Sequence, residues 1–230
     1  MSDFGEKKLK LYYFDLSGKG EPIRLALTYA GIPFEDVMLT REQLMAMKAD
    51  GTLKYGQVPA LEVPGGGHIC QSNAILRYIG RIAAPDKIYP ADPLAASLVD
   101  SILDAEIDLF AGFSCSNYTA RYGFTAIGEP GEPLFDSIRK ALNDEVIPRH
   151  LSGLEKLLES SSTPWIANTA EPSIADFVLY PRLLWLEQFG EGISADILKP
   201  FPRICKMLQD MANLPEIKTY YETHTMKHRF

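Results

Sequence analysis

The spacing of apolar residues changes character near residue 84. Before it, short apolar runs of strand length alternate with helical stripes and with glycine or proline turns. Residues 8–14, Lys-Leu-Lys-Leu-Tyr-Tyr-Phe, predict a strand. Asp-Leu-Ser-Gly-Lys-Gly then makes a turn. Ile23, Ala26, Leu27 and Ala30 form one stripe, with Pro22 at its opening and Gly31 just past its end. That asymmetry predicts a helix over 22–30. Residues 34–39 predict a second strand, which completes a β-α-β unit. Residues 40–54 are polar and dotted with methionine, and predict a helical turn plus loop. A strand over 57–63 enters through Pro59, Pro64 and three glycines turn the chain, and 68–70 return. Gln71-Ser72-Asn73 then starts a helix over 74–84. The order β-α-β, β-β-α predicts a mixed sheet covered by helices.

Residues 85–93 hold three prolines and two aspartates and read as a linker. Beyond them only the helical period persists. Leu98, Ile102, Ala105, Leu109 and Phe113 mark one helix over 94–122. A turn-rich break spans 123–133, and a second long pattern spans 134–159 with an interruption at Pro148. Ser173-Ile174-Ala175-Asp176 has the spacing of a capping motif before a helix over 177–189. Ser173 can accept the fourth residue's N–H, and Asp176 can take the return bond. Residues 196–214 and 215–225 supply the last helices. The organisation predicted is α/β followed by all-α: a domain over 1–84, a linker over 85–93 and an all-helical domain over 94–230. No internal repeat is visible, and the loop 123–133 and residues 160–164 have the composition of mobile surface.

Charge and composition narrow the function. The net charge of −7 and the absence of any Lys/Arg cluster exclude a general nucleic-acid or acidic-membrane binder. At 46% hydrophobic and 23% charged, the 230 residues can bury a core. No run approaches the ~18 apolar residues of a spanning helix. Met-Ser-Asp-Phe-Gly-Glu-Lys-Lys lacks the apolar centre of a signal peptide. Cys70, Cys115 and Cys205 are far apart, with no C-x-x-C, which predicts a reducing compartment, the cytosol, and no zinc or other metal site.

Local chemistry singles out a few positions. The first strand delivers Tyr12 and Tyr13 to a glycine turn at a helix N-terminus, where anions are favoured. Alternation leaves open which tyrosine faces that turn, because a central strand is buried on both faces. Ser72 sits where a helix begins, so its hydroxyl and the first free amides can bind a carboxylate, or simply cap the helix. Asp104 and Asp108, four apart, share a helix face.

Four segments in order carry a family resemblance: Leu-Tyr-Tyr-Phe-Asp-Leu-Ser-Gly-Lys-Gly-Glu-Pro-Ile-Arg, Tyr-Gly-Gln-Val-Pro-Ala-Leu, Gln-Ser-Asn-Ala-Ile-Leu-Arg-Tyr-Ile-Gly and Ser-Ile-Ala-Asp-Phe. The chain resembles the cytosolic glutathione transferases over essentially its whole length, the tyrosine-type mu, pi and sigma classes most. The resemblance implies a thioredoxin-like first domain, a homodimer, and glutathione as co-substrate beside a hydrophobic electrophile. It implies a cis Pro59 and a strand-like pairing of the Val58 backbone with the cysteinyl part of glutathione, beside Gln57. Gln71 and Ser72 would hold the γ-glutamyl carboxylate. Asp108 would reach the partner's glutathione amino group, and Lys48 would pair with the glycyl carboxylate. Leu44 stands where those classes carry a tryptophan for that carboxylate, so Lys54 rivals Lys48. Tyr13 matches the catalytic tyrosine that donates to the thiolate, with Ser17 as a serine-type alternative. Phe14, Leu16, Phe113, Tyr118 and the C-terminal tail would line the electrophile site, although Phe113 shares the core stripe of Leu109. The rivals implied are a glutathione-dependent isomerase of the prostaglandin D synthase kind, and a non-catalytic ligandin or crystallin-like binder. A translation or chloride-channel module of the same fold matches these motifs poorly.

Overall fold

The computed structural model describes residues 8–224, with the side chain of Phe189 excepted. The chain start read for a signal peptide and the C-terminal tail read as a site wall lie mostly or wholly outside the described residues.

Strand β1 (Leu9–Tyr13), helix α1 (Glu21–Ala30) and strand β2 (Phe34–Met38) form the first unit. The strands run parallel, with Leu9 opposite Phe34 and Tyr13 opposite Met38. Helix α1 carries proline in its first turn. It ends at Gly31, whose φ of 69° lets its N–H reach the Leu27 and Thr28 carbonyls. Residues 41–49 are a full helix, α2 (Arg41–Ala49), rather than a helical turn. A capping box explains it: Thr40 accepts the Gln43 N–H at 3.2 Å, and the Gln43 side chain accepts the Thr40 N–H at 2.8 Å.

Strands β3 (Ala60–Val63) and β4 (Gly67–Cys70) form the predicted hairpin, and the sheet order is β2-β1-β3-β4. The third strand begins at Ala60, not at 57, because the segment before it turns through a cis Val58–Pro59 bond. Helix α3 (Ser72–Ile82) starts earlier than the apolar stripe suggested, directly after Gln71.

Residues 85–93 are pinned rather than loose. Ile88 and Tyr89 are buried, the Ile88 carbonyl accepts the Ile174 N–H at 2.9 Å, and the Tyr89 hydroxyl donates to Asp100 at 3.0 Å.

The remainder is helical. Helix α4 (Pro93–Asn117) is capped by Asp92 and stops at Tyr118 (φ −113°, ψ 51°), so the predicted 94–122 helix is two, α4 and the short α5 (Thr119–Tyr122). A 3₁₀ turn at Thr125–Ile127 sits in the expected break. Helices α6 (Pro133–Ala141) and α7 (Ile147–Ser160) are joined by a π-helical turn, Leu142–Val146, instead of breaking at Pro148. Pro148 has no N–H to give, and the wider turn lies just before it. Helix α8 (Ile174–Phe189) runs through Pro181. Helix α9 (Pro202–Asn213) begins well after residue 196, since turns occupy the segment between. Helix α10 (Pro215–Thr223) follows.

One apolar core runs through both halves, from Leu11 and Ile23 through Ile79 and Leu103 to Phe177 and Leu183. Helix α8 packs on α1 and on α4, so a helix of the second half lies against the crossover helix of the first. Arg77 of α3 reinforces the junction through Asp100 at 2.7 Å and Asp104 at 3.1 Å on α4.

Candidate active site

The alternation of β1 separates the two tyrosines. Leu9, Leu11 and Tyr13 are buried, whereas Lys10 and Tyr12 are half-buried. Tyr12 donates its hydroxyl to Glu62 at 2.6 Å on the neighbouring strand. Burial and that carboxylate push its pKa up to about 12. Tyr13 faces the turn that follows β1, and the turn is built around it. A Cβ on Gly18 would overlap its hydroxyl, and one on Gly20 would overlap its ring, so both positions need glycine. The Lys19 N–H donates to the Tyr13 hydroxyl at 2.9 Å.

Arg24 of α1 fixes this turn from beneath. Its guanidinium donates to the carbonyls of Leu16 at 2.9 Å and Phe14 at 3.2 Å. It also pairs with Asp36 at 2.7 Å and Glu21 at 3.1 Å. Two carboxylates offset the desolvation of a guanidinium that is only 3% exposed. Burial raises the Tyr13 pKa. The Lys19 N–H and the guanidiniums of Arg182, Arg24 and Arg121 pull the other way and do not overcome it. The phenol is therefore protonated at neutral pH. With one lone pair held by Lys19, it can donate to an anion in front of it.

That space is a cleft of about 640 Å³ between the sheet and the helical half. Its sheet side brings together Lys48, Gln57, Val58, Pro59, Gln71 and Ser72. Gln71 sits at φ 77° and ψ 118°, outside the regions open to L-residues at no cost. Strain of that kind costs of order 1–3 kcal/mol and gathers at ligand sites. Ser72, the first residue of α3, follows Gln71 and lines the cleft with it. The helical side adds Tyr118, and the turn adds Phe14 and Leu16. Burial, then the charge that Tyr13 would carry, push Tyr118 up to about 12.

Other expected residues stand elsewhere. Phe113 is not a wall of the cleft. It is 3% exposed, edge-on to Trp185 at 5.1 Å and beneath Arg139 at 4.6 Å. The stripe it shares with Leu109 faces the core. Lys54 is exposed outside the cleft, whereas Leu44 and Lys48 line it. The Ser17 hydroxyl is enclosed, away from the cleft, with no hydrogen-bond partner among the described residues. Asp108 is exposed on α4 and does not line the cleft of its own chain.

Three cations that line the cleft were not anticipated: Lys19, Arg121 and Arg182. They come from the turn, from α5 and from mid-α8, and no spacing links them. Arg182 is buried on Glu106 at 2.8 Å, with its guanidinium 3.9 Å from the Phe110 ring centroid. Among the described residues no group of three or more His, Cys, Asp or Glu is placed to hold a metal ion.

Comparison with known proteins matches two stretches of the chain. Residues 8–81 match the model for "Glutathione S-transferase, N-terminal domain", and residues 125–224 match that for "Glutathione S-transferase, C-terminal domain". Glutathione S-transferase alpha-4 of Rattus norvegicus is 32% identical over 218 residues, spanning 94% of this chain and 89% of its own length. Glutathione S-transferase 1 of Ascaris suum is 33% identical over 216 residues, spanning 92% and 94%. Among solved structures, prostaglandin synthase D of Nilaparvata lugens superposes with a TM-score of 0.77 at 28% identity, over 95% of this chain and 99% of that one. These likenesses are of similar strength, so they mark a family and not one class within it.

Proposed function

Because the chain belongs to the glutathione S-transferase family, we propose that its cleft conjugates the glutathione thiolate to small electrophiles, with Tyr13 activating the thiol. One observation carries the reading. Tyr13, Lys48, the cis Val58–Pro59 segment and Ser72 come from four separate stretches and line one cleft. The Val58 backbone pairs with the cysteinyl unit as an added strand would. Ser72 and the first amides of α3 take the γ-glutamyl carboxylate, and Lys48 takes the glycyl one. The thiolate is then held before the Tyr13 hydroxyl. Its sulfur bonds to the electrophilic carbon, and for an aryl halide the carbon–halogen pair leaves as halide. Phe14, Leu16 and Tyr118 flank the electrophile.

The test is glutathione conjugation of 1-chloro-2,4-dinitrobenzene, followed by absorbance; no turnover above the uncatalysed rate rejects the reading. Substituting Ser72→Ala should weaken glutathione binding by about 1–3 kcal/mol, the loss of a hydrogen bond to a charged group. Calorimetry on the folded variant measures it, and unaltered affinity removes Ser72 from the site.

The active unit in this proposal is a two-fold dimer. Leu94 and Leu98 of α4 are 72% and 52% exposed, and Asp108 lies further along the same face at helical spacing. An isologous interface would bury the leucines and carry Asp108 toward the partner's site. Sedimentation should find a dimer at assay concentration, and Leu98→Glu should shift it toward monomer. An active wild-type monomer would refute the arrangement. A cytosolic location belongs to the same reading, since all three cysteines are free. Among the described residues no helix is long and apolar enough to cross a membrane.

A second reading is supported by the fold neighbour named prostaglandin synthase D. There glutathione would serve an isomerisation rather than end in a conjugate. Recovery of free glutathione together with an isomerised substrate would distinguish it.

A further inference from the structure

The sequence read the electrophile site as apolar and aromatic. The structure gives it a charge. Lys19, Lys48, Arg121 and Arg182 line the cleft, and no Asp or Glu does among the described residues. The chain as a whole has 30 acidic and 23 basic residues, so this wall runs against the composition.

Two of the four cations already have partners in the transferase reading. Lys48 stands at the glycyl end, and Arg182 is neutralised by Glu106 at 2.8 Å behind the wall. Lys19 and Arg121 are left, and neither makes an ion pair among the described residues. Arg121 rests only on the edge of range of the Tyr122 ring, 6.0 Å from its centroid. Arg121 stands within electrostatic reach of Tyr13, Tyr118 and Lys19, and Lys19 meets Tyr13 through its backbone N–H. The Lys19 residue is solvent-accessible, yet the cleft walls crowd its ammonium and lower its pKa. Glu106 opposes that shift, and Arg182 and Arg121 reinforce it. Glu106 is one carboxylate beside several cations and is already engaged by Arg182, so a net positive charge remains, and a bound anion relieves the repulsion. In the transferase reading glutathione's carboxylates lie at the sheet side, and its single thiolate before Tyr13 offsets only part of this charge.

We propose that the electrophile end of the cleft selects acceptors bearing a carboxylate, which pairs with Arg121 and Lys19 while the reactive carbon faces the thiolate. The proposal rests on the transferase reading of the same cleft. For an α,β-unsaturated ketone with an acid arm, the sulfur bonds to the β-carbon. The alkene pair moves to the carbonyl oxygen as an enolate, and the enolate takes a proton from water. Nothing is oxidised or lost, and the carboxylate is a handle that does not react.

Ethacrynic acid and its methyl ester are a matched pair of probes that differ by that one charge. Wild-type protein should favour the acid by about tenfold in kcat/KM, which is 1.4 kcal/mol. Added salt should erode the preference, since the pairing is part-exposed. Arg121→Glu, a surface change on a short helix, should abolish or reverse it. Calorimetric binding of both probes to protein saturated with S-methylglutathione gives the same ratio without turnover. A ratio near one in wild type, or Arg121→Glu changing acid and ester by the same factor, overturns the proposal. Absence of turnover with both probes rejects the transferase reading instead, and the calorimetric ratio then decides the anion preference by itself.

Discussion

Asp176→Ala is expected to lower the unfolding free energy by about 3 kcal/mol at pH 7.5, the largest stability loss from any single capping residue here. The Asp176 carboxylate is fully buried. It accepts the N–H of Ile166 at 2.9 Å, the N–H of Ser173 at 2.8 Å and the Ser173 hydroxyl at 2.9 Å. It thus closes the N-terminus of α8 and ties the 165–166 segment to it. Alanine leaves three buried donors unmatched, and each costs more than an ordinary net hydrogen bond. Helix α8 packs on α1 and α4, so fraying its first turn loosens both halves of the core.

The same residue predicts a pH dependence. Burial raises its pKa from 3.8 to about 6, against the pull of those three hydrogen bonds. The folded state therefore binds this proton more tightly than the unfolded one. The resulting stability is fully present below the unfolded value and is lost as pH rises through 6. The gap between wild type and Asp176→Ala should accordingly be ~1 kcal/mol wider at pH 5 than at pH 7.5. Asp176→Asn keeps a carbonyl acceptor and should cost less, with no such slope. Urea unfolding of the three proteins at both pH values measures it. A gap that narrows at pH 5 would mean that the ionised carboxylate is the favoured form.

What could be read from the chain was mostly what is local. Ser173 and Asp176 lie three apart, so their reciprocal bonds follow from one helical turn. Pro22 and Gly31 bracket α1 for the same reason. The capping box at Thr40 and Gln43 is equally local, but the polar, methionine-rich composition around it hides the helix it opens. Phe113 shows where periodicity stops. A stripe on α4 says that one face is buried, but not whether a cleft or α8 covers it. Tyr12 and Tyr13 could not be told apart until β3 placed Glu62 beside Tyr12. Arg24 was visible only as a helix residue. Its grip on the Phe14 and Leu16 carbonyls depends on how the turn folds back over α1. Lys19, Arg121 and Arg182 meet through tertiary packing, so their shared charge had no signature in sequence. Pro148 marks a disturbance in the sequence without saying how the helix absorbs it, and the π turn just before it does so by widening rather than breaking.

Tyr13→Phe should raise the pKa of the bound glutathione thiol by about one to two units and cut turnover at pH 7 by roughly ten- to thirtyfold, the ratio of thiolate fractions. A free thiol of this type has a pKa of about 8.5, so only a few per cent is thiolate at pH 7. A hydroxyl donating to the thiolate contributes ~1.5–3 kcal/mol, and 1.36 kcal/mol is one pKa unit or a factor of ten in rate. The setting suits that role. Burial keeps Tyr13 protonated, the Lys19 N–H at 2.9 Å orients its oxygen, and Gly18 and Gly20 leave room for the ring. Phenylalanine fits the same space, so glutathione affinity should change little. The deficit should close as pH rises past the variant's thiol pKa, because only the thiolate fraction is affected. Tyr12→Phe removes a bond to Glu62 on the far side of the strand and should leave the thiol unchanged. Ser17→Ala alters a hydroxyl enclosed away from the cleft and should cost far less than Tyr13→Phe. Thiolate absorbance titrations of the three variants with glutathione bound, beside pH–rate profiles, measure these effects. A shift of the thiol pKa in Ser17→Ala and none in Tyr13→Phe would move activation from the tyrosine to the serine.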